Sequence, residues 1–318
     1  MAIVIKKMKK KIILVVQGGV SSEREISLKS GEACIKALKK LKYKIIKFDP
    51  ARNHFSTIKQ YKKKVDLIFN ALHGRDGEDG IAQSYFEYFK IPYTHSGITA
   101  SMNAMDKVIS KKIFKKNNLL TPNYISLNSV NYKKYLKVQV LRNSNLKFPA
   151  VVKPSNEGSS IGVEICKNFN QLKTSIIKLI KNYKALIVEN YIAGQEIQVA
   201  VINGKALGAI ELKPRRNFYD YKAKYSKSAL TKHIMPAVMS KNNYNKVLRL
   251  AEKAHHVLNC KGATRSDFKL INNNFYLLEI NTQPGMTDLS LVPEIAKYVG
   301  INFKELVKKI MDDATINR

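Results

Sequence analysis

Two stretches near the C-terminus, 263–270 and 275–281, constrain this chain more than any other feature. Each reads as a short strand, and Asn272-Asn273-Asn274 between them is a turn signal. With the three asparagines as the loop of an antiparallel hairpin, Ile271 faces Phe275, Asp267 faces Glu279 and Arg265 faces Asn281. Side chains alternate faces along a strand, so Arg265, Asp267, Glu279 and Asn281 all point the same way. Like charges directly opposite on a sheet are destabilising, and Arg265 alone sits one pair along. A hard divalent cation held by two carboxylates and an amide oxygen would offset them. Mg²⁺ bound through few protein ligands usually shares them with a nucleotide phosphate. A polar hairpin face in water is the other reading of the same residues.

The 318 residues allow two or three packed units, and a hydrophobic content of 45% suits a globular chain. No apolar run is long enough to span a bilayer, so no membrane insertion is expected. Residues 1–10 read as a lead into the first strand. Cys34, Cys166 and Cys260 are odd in number and lack metal-type spacing, which points to a reducing, cytoplasmic setting. The net charge of +32 raises the question of a nucleic-acid partner. Lysines supply most of it and are scattered along the whole chain rather than gathered on one element, so no specific nucleic acid is expected.

The first hundred residues alternate strand and helix. Strands are expected over 11–17, 43–48 and 65–70, and helices over 27–41 and 82–90. This βαβ order implies a parallel sheet with ligands at the carboxyl ends of its strands. A helix over 103–117 leads to Thr121-Pro122. Beyond it come strands over 150–153, 163–166, 185–189, 196–202 and 206–211, helices over 170–182 and 242–258, and then the hairpin, an α+β texture with antiparallel sheet. Residues 213–233 are polar, without hydrophobic period, and long enough for a lid.

Four further constellations carry chemistry. Gly18-Gly19 and then Ser21-Ser22-Glu23 follow the first strand and precede a helix; Glu23 suits a cationic group such as an amine, or simply the first helical turn. His73 opens a loop with three glycines, as a ligand contact, an acid–base group or a structural histidine. Lys153 ends an apolar strand before Ser155-Asn156-Glu157-Gly158-Ser159-Ser160, where a lysine, backbone N–H groups and hydroxyls suit a phosphate cradle, or simply an edge-strand lysine and a flexible turn. Glu189 and Glu196 flank a turn and suit an adenine amine or ribose hydroxyls, or solvent. After the hairpin, the Pro284-Gly285 turn places backbone N–H groups where a developing oxyanion is held.

In order, GGVSSEREISLKSG, ALHGRDGEDG, DKVISKKIF, VVKPSNEGSSIGV, VENYIAGQE, FYDYKAKY, RSDF and LLEINTQPGMTDLSLVPE resemble the D-alanine–D-alanine ligases of the ATP-grasp superfamily, from Gly18 to Glu294. The resemblance implies an α/β parallel-sheet domain over 1–102, then an α+β ATP-grasp fold. Its lobes are 103–188 and 189–318, both with antiparallel sheets, and 213–233 is the closing lid. ATP would lie between the lobes, its phosphates on Lys107, Lys153 and Ser160, with Glu189 and Glu196 lining the adenosine site. Asp267, Glu279 and Asn281 would bind two Mg²⁺ ions, with Mn²⁺ able to replace them. Glu23 would pair with the ammonium of the first D-alanine and His73 would sit near its carboxylate. Arg265 and the Gly285 N–H would face the reacting carboxyl, and Ser290 and Leu291 would contact the second D-alanine. Lys224 would reach the transferred phosphate, and Tyr225 would bond toward Ser159 and through it Glu23.

The implied reaction activates one D-alanine as an acyl phosphate, which the amine of the second attacks, in service of peptidoglycan precursor synthesis. A cytoplasmic homodimer is the implied assembly. Members that use D-lactate tend to carry His where this chain has Tyr225, which favours D-alanine as second substrate. Lys222, where Glu is usual, and Leu289, where some relatives have His, depart from the pattern. Another ATP-grasp carboxylate–amine ligase is the main alternative, and a basic nucleic-acid-binding protein a weaker one.

Overall fold

In the computed structural model, which describes residues 11–213, 231–287 and 289–318, strand β1 (Ile12–Val16) lies between β2 (Lys44–Phe48) and β3 (Leu67–Asn70) in a parallel sheet. The lead at 1–10, and the lid residues Lys222, Lys224 and Tyr225, lie outside the described residues. β1 is apolar on both faces: Ile13 and Val15 join one core, Leu14 and Val16 another. A parallel strand covered from both sides demands this pattern. The loops leaving β1 and β3 carry Glu23 and His73 at the carboxyl edge of the sheet, as the βαβ pattern implies.

Helix α1 (Arg24–Lys40) starts one turn before the expected Ser27. Ser27 ties two loops instead: its hydroxyl accepts from the Gly18 N–H and donates to the Ala71 carbonyl, both at 2.8 Å. Gly18 has φ +86°, and a Cβ there would lie 2.6 Å from the Asp49 carboxylate, which Arg24 grips at 2.7 Å. After α2 (Ile81–Tyr88), the single helix expected over 103–117 is two, α3 (Ile98–Met105) and α4 (Lys107–Lys116). Asp106 between them is extended, and its carboxylate accepts from the N–H groups of Val108 at 2.8 Å and Ile109 at 3.1 Å. The cap places Lys107 in the first turn of a new helix.

Strand β4 (Tyr124–Asn128) and helix α5 (Val138–Arg142) were not expected from the sequence. With β5 (Ala150–Pro154), β6 (Glu164–Cys166) and β7 (Ala185–Asn190), β4 forms an antiparallel sheet in the order β4-β7-β5-β6. Helix α6 (Phe169–Ile180) buries Leu172 and Ile176 against Val152 and Val188 of this sheet.

The third sheet has the order β10-β9-β8-β11-β12, from β8 (Gln195–Ile202), β9 (Lys205–Lys213), β10 (Lys232–Ile234), β11 (Ala263–Ile271) and β12 (Asn274–Asn281). The two ends of the supposed lid are therefore paired strands, β9 and β10. Helix α7 (Lys241–Val257) covers one face through Val247, Ala251 and Ala254. Helices α8 (Leu291–Tyr298) and α9 (Phe303–Asp312) bury Val292, Leu306 and Ile310 in the core that also holds Ile13, Val15 and Leu38.

The β11–β12 hairpin reaches the expected pairing by a different route. Asp267 faces Glu279 and Arg265 faces Asn281. The loop, however, is only Asn272-Asn273, both left-handed at φ +48° and +59°, and Ile271 pairs with Asn274 rather than Phe275. A bulge between Asp267 and Phe268 on the ladder then leaves Leu278 as an extra residue and restores the register. Phe275, Leu277 and Ile280 face the α7 core, each inward side chain contributing roughly 1.5–3 kcal/mol. Strict alternation from Phe275 and Leu277 would have sent Glu279 into that core.

No helix among the described residues is long and apolar enough to cross a membrane. All three cysteines are buried and free.

Candidate functional site

Three cavities run in series between the sheets. The first lies between the second and third sheets. Val151, Ile192 and Leu278 give it apolar walls, and Lys107, Lys153 and Ser160 line it as well. Beneath it, Glu189 is buried and held twice: Lys153 Nζ is 2.6 Å from Oε1 and Lys111 Nζ is 2.9 Å from Oε2. Burial alone would raise the Glu189 carboxyl, but Lys111 and Lys153 outweigh it and hold it below the usual carboxylate range. The two lysines part ways. Burial pushes the Lys111 ammonium down to about 8 despite Glu189. Burial also works against Lys153, yet Glu189, Glu279 and Asp267 together raise it above its ordinary value. The neighbouring Lys153 ammonium adds to the effect of burial on Lys111, and Glu189 and Glu279 do not offset the two. Glu196, across the slot, accepts from Lys269 Nζ at 3.0 Å.

Glu279 and Lys107 belong to both this slot and a second cavity, lined also by Glu23, His73, Ser159, Asn281 and Gly285. Lys107 Nζ is 3.5 Å from Glu279 Oε2 and donates to the Glu157 carbonyl at 2.6 Å. Arg265 grips Asp267 with two bonds, Nε to Oδ1 at 2.7 Å and Nη2 to Oδ2 at 2.9 Å. The charge balance expected from a bound cation is thus met in part by the chain's own Lys107 and Arg265. The donor set still suits Mg²⁺: two carboxylates and one amide, all oxygen, on one face of paired strands. The Ser159 hydroxyl donates to the Glu23 carboxylate, linking the glycine-rich loop of the second sheet to the parallel-sheet domain. His73 Nδ1 lies 3.4 Å from Glu78 Oε1 and Nε2 lies 3.0 Å from Ser30 Oγ. A neutral ring fits, donating from Nδ1 and accepting the Ser30 hydroxyl at Nε2.

Arg265 and Gly285 are shared onward with a groove of about 800 Å³ that runs past Ser290, Leu291 and Leu289. A Cβ at Gly285 would meet Ser290 Oγ at 2.7 Å, so a side chain there would displace the Ser290 hydroxyl. Ser290 is the N-cap of α8, but its Oγ accepts from the Thr287 N–H at 2.9 Å and caps no helical N–H. The first turn of α8 therefore presents N–H groups toward the groove.

Residues 50–96 match the family model described as D-ala D-ala ligase N-terminus, and residues 113–312 the one described as D-ala D-ala ligase C-terminus. A Pelagibacter ubique protein described as a D-alanine--D-alanine ligase is 56% identical over 308 residues, covering 97% of this chain and 99% of that one. The chain belongs to the D-alanine–D-alanine ligase family. A crystal structure of the Bacillus anthracis D-alanine–D-alanine ligase superposes with a TM-score of 0.84 at 33% identity, covering 95% of this chain and 97% of that one. A second structure of the Bacillus anthracis enzyme, complexed with ATP, gives 0.83 at 31% identity over 96% and 97% of the two chains. The parallel sheet followed by two antiparallel sheets is the ATP-grasp arrangement of these ligases.

Four residues that line or buttress these cavities escaped the sequence reading. Lys111 stands four residues after Lys107, one helical turn along the same face, which is the signal that was available. Lys269 and Gln198 follow from strand alternation: Lys269 shares the face of Asp267, and Gln198 is its cross-strand partner. The Gln198 amide is fully buried beside Arg265, with no protein hydrogen-bond partner among the described residues. Ser30 gave no signal. A small hydroxyl inside a helix reads as neutral, yet its Oγ touches His73 and accepts from the Met286 N–H at 3.1 Å.

Proposed function

We propose that the chain joins two molecules of D-alanine into D-alanyl-D-alanine, converting ATP to ADP and phosphate by way of D-alanyl phosphate, in peptidoglycan precursor synthesis. The observation that carries this reading is the sharing of residues between successive cavities: Lys107 and Glu279 join the first to the second, Arg265 and Gly285 the second to the third. A two-step ligation needs this order of nucleotide, acyl acceptor of the phosphoryl group, and amine.

Lys107 and Lys153 hold the phosphates under Ser160, with Glu189 acting through Lys153, and Glu196 lines the adenosine end. Glu23 pairs with the ammonium of the first D-alanine and His73 orders the cavity wall beside its carboxylate. One carboxylate oxygen attacks the terminal phosphorus and ADP leaves. The amine of the second D-alanine, its carboxylate on the Ser290–Leu291 helix start, then attacks the acyl carbon, loses a proton, and phosphate departs. Arg265 and the Gly285 N–H hold the oxyanion that forms between these events. Asp267, Glu279 and Asn281 are the ligands for two Mg²⁺ ions, or Mn²⁺ in their place, which when bound neutralise charge on the phosphoryl group. On the sequence motif alone, Lys224 reaches the transferred phosphoryl and Tyr225 bonds toward Ser159 and selects D-alanine. A cytoplasmic homodimer of three units, divided near residues 102 and 188, completes the proposal.

The test is ADP release with ATP, Mg²⁺ and D-alanine, with L-alanine and D-alanine plus D-lactate as comparisons and products resolved by mass. The dipeptide should form from D-alanine alone. ATP turnover without dipeptide would assign the chain another amine substrate, and no D-alanine-dependent ADP release would defeat the reading.

A further inference from the structure

We propose that Gln198 is a positioning residue for Arg265, which it takes hold of when Asp267 turns to a metal ion. The proposal rests on reading Asp267 as a metal ligand. The Gln198 side chain is fully buried, and neither Oε1 nor Nε2 has a hydrogen-bond partner among the described residues. A glutamine amide offers two donors and an acceptor, and such groups are rarely left unpaired inside a protein.

Strand pairing limits what the amide can reach. On one side of β8, Gln198 faces Ile210 of β9, which is buried and has no polar side-chain atom. On the other side it faces Asp267 of β11, with Arg265 one pair along. Directly opposed Cβ atoms lie about 5 Å apart and diagonal ones about 7 Å, so both residues are within reach of a glutamine side chain. Glu196, two residues along the same face, is already bonded to Lys269. Asp267 and Arg265 are bonded to each other twice, Oδ1 to Nε and Oδ2 to Nη2, and this fork shuts the amide out of the pairing beside it.

The fork does not outlast metal binding intact. As Asp267 turns an oxygen to a hard cation, Arg265 loses an acceptor. Gln198 then supplies both replacements: Oε1 accepts from Arg265, and Nε2 donates to the Asp267 oxygen that the cation leaves. One side chain so bridges the two groups that the cation parts. Arg265 stays beside Gly285, with which it lines both the second cavity and the groove. The amide itself is enclosed, so it touches neither nucleotide nor amino acid and acts through Arg265 and Asp267.

The experiment compares the full chain with Gln198→Met and Gln198→Leu, which fill the site and cannot hydrogen-bond. Thermal melting without nucleotide or metal should show an equal or higher melting temperature in at least one variant, since an amide without partners contributes nothing there. Calorimetry then measures ADP affinity with and without Mg²⁺. Without the ion, that variant should bind ADP within about twofold of the unsubstituted chain. The factor by which Mg²⁺ tightens ADP should fall on the order of tenfold. A lower melting temperature in both variants would show the amide already bonded in the protein alone. An unchanged Mg²⁺ factor would show that it plays no part once the metal is bound. Either result overturns the proposal. No Mg²⁺-dependent tightening in the unsubstituted chain would instead remove the metal reading of Asp267, and the proposal with it.

Discussion

Glu189→Gln tests how the slot is held together. The substitution keeps the shape of the side chain and removes its charge. Lys153 and Lys111 then lose a carboxylate at 2.6 Å and 2.9 Å. Lys153 still has Glu279 and Asp267 in its surroundings, whereas Lys111 is fully enclosed and keeps the Thr121 hydroxyl, at 2.7 Å, as a direct contact, with Glu279 acting on it only as a weaker charge. Stranding one partner of a buried ion pair costs about 3–5 kcal/mol, a large part of a total stability of about 5–15 kcal/mol. Lys111→Met removes the enclosed charge and leaves Glu189 with Lys153, so its own cost should be about 1–3 kcal/mol. In the double variant there is no stranded ammonium at position 111. Its loss should therefore lie close to that of Lys111→Met alone, a coupling of about 3 kcal/mol between the two sites. Urea unfolding at pH 7, followed by circular dichroism and tyrosine fluorescence to verify one transition, gives all four stabilities. The carboxyl is held below its usual range, so the advantage of the unsubstituted chain over Glu189→Gln is present above 4.5 and lost as the pH falls below it. Losses that add within about 0.5 kcal/mol would refute the account.

Arg265→Lys loses the fork that bonds Asp267 twice and the planar donor beside Gly285; kcat should drop on the order of a hundredfold, and a change within threefold by steady-state kinetics would remove Arg265 from the oxyanion role. Because the Lys111 ammonium is pushed from 10.5 to about 8, the unfolded chain binds the extra proton between these values, and the stability contributed at this site rises with pH across that window. The stability of the unsubstituted chain relative to Lys111→Met should therefore climb between pH 8 and pH 10.5, and a falling difference in urea melts would contradict it. Deleting Leu278 removes the bulge yet leaves Asp267 opposite Glu279, since the two-residue loop alone then sets the register. Nucleotide affinity should fall on the order of tenfold with the lost apolar wall while the hairpin survives, and loss of the folded state would show that the bulge is required.

The hairpin shows both how far the sequence could be read and where it stopped. The pairing of Asp267 with Glu279 was legible from residue types and alternation, but through two errors that cancel. The loop is one residue shorter than the three asparagines suggested, and the bulge adds that residue back. Adjacent residues Leu278 and Glu279 both face the slot as a result, one apolar and one charged. No period-two pattern encodes that. The βαβ order and the placing of the Glu23 and His73 loops at the carboxyl edge followed directly from strand and glycine signals. The break at Asp106 did not, because an aspartate within a helical run reads as surface until its carboxylate is seen bonding two N–H groups. Glu189 looked like a ligand or a solvated carboxylate. Its burial between two lysines depends on residues that are distant in sequence, and Lys111 acquires its role only when β7 is laid beside α4.

Charge in the cleft follows a different rule from charge on the chain. The whole sequence carries +32, yet the cations that line or underlie the slot are matched almost one for one: Lys107 with Glu279, Arg265 with Asp267, Lys269 with Glu196, and Lys111 and Lys153 with Glu189. A nucleotide triphosphate entering alone would meet Asp267 and Glu279 as well as the lysines. A divalent cation entering alone would compete with Arg265 and Lys107 for the same two carboxylates. On the proposed reading, if they enter together each would take the partner the other displaces, Lys107 meeting phosphate and Glu279 the metal. Nucleotide and metal affinities would then be linked, each raising the other by the same factor, because the coupling free energy is common to both. On the proposed reading, this pairing, with Lys111 and Lys153 sharing Glu189, would favour the metal–nucleotide complex over either component.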